Sequence, residues 1–60
     1  MEARIEVWFN NGLFRAFPKV DMNSLERDGT HIEFLLGDSS PKHRAHLNLN
    51  NVNFLEIMKA

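Results

Sequence analysis

Apolar residues in this chain fall in short alternating runs separated by turn-forming residues. Ile5, Val7 and Phe9 alternate with Glu6 and Trp8, which predicts a strand over residues 4–9. Side chains alternate along a strand, so the first three share one face and Glu6 and Trp8 the other. Asn11-Gly12 then breaks the run. Both residues tolerate positive φ, and such a pair between alternating runs is a strong hairpin signal. A second strand follows over residues 13–17. A two-residue turn pairs Phe9 with Phe14 and Val7 with Ala16; a three-residue loop with Gly12 left-handed pairs Phe9 with Leu13 and Ile5 with Phe17. One residue of slip exchanges every face assignment on that strand. The core therefore receives either Phe14 and Ala16 or Leu13 and Phe17, and the greater bulk of the second pair favours the three-residue loop.

Residues 20–27 admit two readings. With Asp28-Gly29 as a hairpin turn they form a strand and Leu25 pairs with Ile32. With Asp21 as a cap they form a helical turn carrying Met22 and Leu25 on one face and ended by Gly29. The strand is preferred. His31 to Leu36 predicts a strand with Ile32, Phe34 and Leu36 inward, and a loop over residues 37–41 leads to a strand over residues 44–49 with Ala45, Leu47 and Leu49 inward. Residues 52–58 read as a strand through Leu55 and Ile57, or as a helix from Asn51 through Phe54, Ile57 and Met58. The strand is again preferred. The expected fold is all-β, one small domain over residues 1–60. Four to five short antiparallel strands form a twisted sheet or small barrel, with room for one helical turn near 21–28 or 52–58.

The succession of a strand, Asn11-Gly12, Phe17-Pro18-x-Val20 and finally Leu49-x-x-Val52-x-x-Leu55-Glu56-Ile57 resembles short all-β proteins of unassigned function from phages and Gram-positive bacteria. The resemblance spans most of the chain as a pattern of apolar spacing. It implies a small barrel-like sheet and, for a phage-type source, an inhibitor or modulator of a host protein. It carries over no site residue.

Sixty residues support at most one domain. Domains of this size bury only about 60% of their unfolded surface and usually need an added device. The chain has no cysteine, so a disulfide is excluded. An efficient core, a metal or self-association remains, and a homodimer is one expected outcome. The lack of cysteine fits a reducing compartment. Charged, strand-like residues follow Met1 directly, and no apolar run approaches the ~20 residues that span a bilayer. A soluble cytoplasmic protein without a signal peptide or membrane association is the expectation.

The formal net charge of −1 argues against bulk nucleic-acid binding, although its distribution is uneven. Residues 1–20 carry +1, residues 21–40 carry −4 and residues 41–60 carry +2. The one local basic cluster is Lys42-His43-Arg44-Ala45-His46. With Trp8 as a stacking face, Lys42 and Arg44 suggest a small nucleic-acid-binding barrel as the alternative function. His43-x-x-His46, with His31 or Asp38 nearby, has metal-ligand residue types. Positions three apart on a strand point to opposite faces, however, so no metal site is expected. No serine sits in a nucleophile-elbow context, and the three glycines are isolated rather than clustered around a phosphate. Glu26 beside His31 across a tight Asp28-Gly29 turn would be a surface ion pair. Small barrels also have little room for a pocket of about 300–1,000 Å³. No catalytic residue and no cofactor are expected. Trp8, on the face away from Ile5, Val7 and Phe9, marks either a second small core or a contact surface. Protein binding through Trp8, Phe14, Arg15, Lys42 and Arg44 is the expected function.

Overall fold

Period-two alternation produces five strands in the computed structural model of the chain, which describes residues 2–37 and 43–59. They are β1 (Glu2–Phe9), β2 (Phe14–Asp28), β3 (His31–Leu36), β4 (Arg44–Asn48) and β5 (Val52–Lys59), with a 3-10 turn at Leu49–Asn51. All pairings are antiparallel, in one sheet of order β4-β3-β2-β1-β5. The strand readings of residues 20–27 and 52–58 hold, and the helical alternatives do not. The single 3-10 turn among the described residues precedes β5.

The first hairpin uses the three-residue loop. Phe9 N–H donates to the Leu13 carbonyl at 2.8 Å, Gly12 N–H donates to the Phe9 carbonyl at 3.0 Å, and Gly12 has φ 87°. Ile5 therefore faces Phe17, Val7 faces Arg15 and Trp8 faces Phe14. Phe17 enters the core at 5% exposure, but Leu13 is 63% exposed. Leu13 precedes the first residue of β2, where no neighbouring strand covers it.

β2 is one strand of 15 residues, where the sequence suggested two. Pro18 sits in a bulge: β1 takes two steps from Ile5 to Ala3 while β2 takes three from Phe17 to Val20. A bulge tolerates the missing proline N–H, and the extra residue returns Val20 to the inner face. Farther on, five steps from Asp21 to Glu26 oppose two from Leu35 to Glu33. Ser24 fills the gap in the ladder. Its hydroxyl donates to the Asp21 carbonyl at 2.6 Å and accepts from Leu35 N–H at 2.8 Å.

The β2–β3 turn is centred one residue later than Asp28-Gly29. Asp28 faces His31 and the central pair is Gly29-Thr30, with φ 60° at Gly29 and negative φ at Thr30. Glycine in the first central position with φ positive there alone identifies the type II′ turn. The slip makes Arg27, not Leu25, the partner of Ile32, and sets Glu26 opposite Glu33 rather than His31. A Cβ at Gly29 would meet nothing within 4 Å, so only backbone strain opposes a side chain there. Gly29→Ala is expected to cost about 1–2 kcal/mol, read as a lower urea midpoint with an unchanged slope.

The inner face buries Ala3, Ile5, Val7, Phe17, Val20, Ile32, Phe34 and Leu47. Phe17 and Phe34 meet edge-to-face, their centroids 5.2 Å apart. The molecule measures 29 × 21 × 19 Å, too thick for a flat sheet, whose layers stack at about 10 Å. The bulges thus curl the sheet around its own apolar face. The curl stops short of closure, because β4 and β5 are the two edges and no described residues pair them. The 3-10 turn is tied to both hairpin tips. Asn10 donates from its backbone to the Asn51 carbonyl and from Nδ2 to the Asn50 carbonyl, each at 2.9 Å, and Leu49 N–H donates to the Thr30 carbonyl at 2.7 Å.

Candidate functional site

Trp8, Phe14 and Phe54 form a row across β2, β1 and β5 on the outer face of the sheet. Trp8 faces Phe14 on one side and Phe54 on the other. Its ring centroid lies 5.0 Å from that of Phe14 and 5.2 Å from that of Phe54, with tilts of 50° and 51°. Tilted rings at this spacing attract one another beyond simple area burial. A register shift in β5 creates the row: Trp8 opposes Phe54 while Phe9 opposes Val52, so one step on β1 spans two on β5. The extra residue sends Val52 toward the core and Phe54 outward.

Trp8 is half-buried by its two neighbours, which remain 50% (Phe14) and 55% (Phe54) exposed. β5 lies beside β1 in the sheet instead of folding over Trp8. The row therefore has no cover among the described residues. Glu6 and Glu56 lie directly opposite each other next along the same face, and Arg4 binds Glu6 at 2.7 Å. The apolar row thus has a charged margin. Phe54 escaped the sequence reading because its contact with Trp8 exists only once β5 is known to pair with β1.

The other sequence-expected contact residues lie elsewhere. Arg15 shares the inner-face row of Val7, with its guanidinium carbon 5.3 Å from the Phe17 ring centroid. It is not beside Trp8. Arg44 stands on β4, three strand positions from Trp8, with Nη1 3.4 Å from Glu33 Oε1. At about 4.8 Å per strand, Trp8 and Arg44 do not form one stacking-and-phosphate site. Lys42 and Asp38 lie outside the described residues.

Arg15 and Arg44 instead line a cleft of about 830 Å³ on the unclosed side of the sheet. The first hairpin contributes Phe9, Leu13, Arg15 and Phe17, and the segment around β4 contributes His43, Arg44, Ala45 and Leu47. This overturns the expectation of little room, because a sheet that curls without closing leaves a groove between its ends. The lining contains arginines, imidazoles and asparagines, with no carboxylate, hydroxyl or thiol among the described residues.

A third cluster joins β3 to β4. His31 Nε2 lies 3.4 Å and His46 Nδ1 3.0 Å from Glu33 Oε2, and the two ring nitrogens are 3.4 Å apart. His46, from the pair singled out in the sequence, joins His31 here, and His43 is not a member. Among the described residues, no helix is long and apolar enough to cross a membrane. Comparison of the chain with protein-family models, curated proteins and solved structures finds no match.

Proposed function

We propose that this chain is a small cytoplasmic protein-binding module, without catalytic activity of its own, that docks through the row Trp8–Phe14–Phe54. The observation that carries this reading is the exposure of Phe14 and Phe54 on the face of the sheet opposite the one that holds the buried core. Three contiguous aromatics supply the type of anchor that dominates protein interfaces. The adjacent edge extends the surface. β5 has eight residues, presents main-chain groups along its free side, and leaves Phe54 and Ile57 about half exposed on its two faces. A partner strand added along β5 satisfies those groups and covers both side chains. A second copy of the chain is one such partner, which suits a domain this small. Inhibition or modulation of a host protein is the form of binding that the phage-type resemblance suggests.

Phe14→Ser with Phe54→Ser tests the row, since both rings are more exposed than Trp8. Sedimentation velocity over a concentration series is expected to show self-association of the wild type and loss of it in the double variant, with an unchanged far-UV spectrum. If the wild type is monomeric, immobilised wild-type and variant chains should retain different proteins from a host lysate. Equal behaviour in both arms, or unfolding of the variant, rejects the row as a contact surface.

The carboxylate-free lining of the cleft favours a second reading, in which Arg15 holds a phosphate beside Phe9 and Phe17. Single-stranded oligonucleotide binding at low salt that weakens steeply with added salt, and is lost in Arg15→Gln, would establish it over protein binding.

A further inference from the structure

We infer that His31, Glu33 and His46 bind a Zn²⁺ ion that staples the edge strand β4 to β3. The residues converge because of the strand register. His31 and Glu33 are two apart on β3 and share the outer face, and His46 on β4 stands directly opposite Glu33. Their donor atoms form a triangle: 3.4 Å between the ring nitrogens His31 Nε2 and His46 Nδ1, 3.4 Å from His31 Nε2 to Glu33 Oε2, and 3.0 Å from His46 Nδ1 to the same oxygen. Ligands about 2.0–2.1 Å from a tetrahedral zinc ion are about 3.3–3.4 Å from one another. The triangle has the size of one face of that tetrahedron, so the spacing of the three atoms suits a single ion.

The chemistry agrees with the size. Two imidazoles and one carboxylate suit zinc and disfavour magnesium or calcium, which prefer all-oxygen shells. Arg44 Nη1 lies 3.4 Å from the other Glu33 oxygen, Oε1, and orients the carboxylate so that Oε2 faces the ring nitrogens. Glu33 is largely shielded, its side chain 20% exposed, whereas the His31 and His46 side chains are 48% and 55% exposed. The ion reaches the site from solvent, and water takes its fourth position. β4 has only five residues and lies at the sheet edge. A metal clip there supplies the cross-link that a cysteine-free domain of this size otherwise lacks.

Calorimetric titration of the chelator-treated chain with ZnCl₂ tests the site. One ion per chain is expected. His31→Ala, His46→Ala and Glu33→Gln should each weaken binding by more than the roughly 10–100-fold that follows loss of an outer-shell partner. His43→Ala should bind like the wild type. Zinc at a hundredfold excess over Kd should raise the unfolding midpoint by about 20 °C, and MgCl₂ should not. Amide chemical-shift mapping on the wild type reads the site without any substitution, with perturbations expected around residues 31–33 and 46. Absence of zinc binding, unchanged binding in His31→Ala and His46→Ala, or shifts centred on His43 would overturn the assignment.

Discussion

Phe34→Ala is expected to leave the domain predominantly unfolded at room temperature. Phe34 is fully buried at the centre of β3 and is the largest side chain with no exposure. It packs edge-to-face on Phe17, which ties the inner faces of β2 and β3 together. Removing a buried phenyl ring costs about 3–5 kcal/mol in lost transfer energy and residual cavity. A core of this size rarely supplies more than about 3–5 kcal/mol in total, so the loss matches the whole margin. Near-UV circular dichroism at 25 °C and a urea titration read the outcome. Phe34→Leu keeps most of the volume and should cost about 1–1.5 kcal/mol, leaving a cooperative transition at a lower urea midpoint. Phe14→Ala removes a ring of the same size from the outer face, and it should shift stability far less because that ring is already half exposed. Equal losses for Phe34→Ala and Phe14→Ala would mean that the outer row is a second core and not a contact surface.

The inner face of the sheet was legible because alternation alone specifies it. The Ile5, Val7 and Phe9 set, the limits of His31–Leu36, and the inward placement of Ala45 and Leu47 depend only on period two. The hairpin register followed from Gly12 and from the combined bulk of Leu13 and Phe17, although only Phe17 enters the core. Alternation became misleading wherever the chain inserts a residue. Phe17 and Val20 are three apart and both buried, which no unbulged strand permits, and Pro18 is the local signal of that insertion. The turn at residues 29–30 was misplaced by one because Asp-Gly suits a type I′ turn, whereas the chain uses Gly29 to begin a type II′ turn. The candidate sites were the least legible part. Trp8 with Phe54, and His31 with His46, are pairs separated by 46 and 15 positions, respectively. They meet only through the β1–β5 and β3–β4 registers. Neither register leaves a mark in local sequence, since each is imposed by how the curled sheet fills its interior.

Ser24→Ala is expected to destabilise the domain by about 2 kcal/mol, a large effect for a side chain of one hydroxyl. The middle of β2 runs five steps while β3 runs two, so the main-chain ladder cannot continue through it. Ser24 Oγ bridges the interruption, donating to the Asp21 carbonyl and accepting from Leu35 N–H. Without the hydroxyl, both backbone groups lose these bonds in a partly buried setting, and an unsatisfied group there costs about 1–3 kcal/mol. Packing compounds the loss, because Met22 and Leu25 flank Ser24 within the same irregular segment and both rest against the core. A relaxed bend would withdraw them together. Ser24→Thr keeps the oxygen and adds a β-branch that strands accept, so it should lie within about 0.5 kcal/mol of the wild type. Native-state hydrogen exchange gives the sharper readout. The Leu35 amide should exchange about 30-fold faster in Ser24→Ala than in Ser24→Thr, the rate equivalent of about 2 kcal/mol. Equal exchange at Leu35 in the two variants would show that the β2 bend is held by Met22 and Leu25 packing and not by the Ser24 bridge.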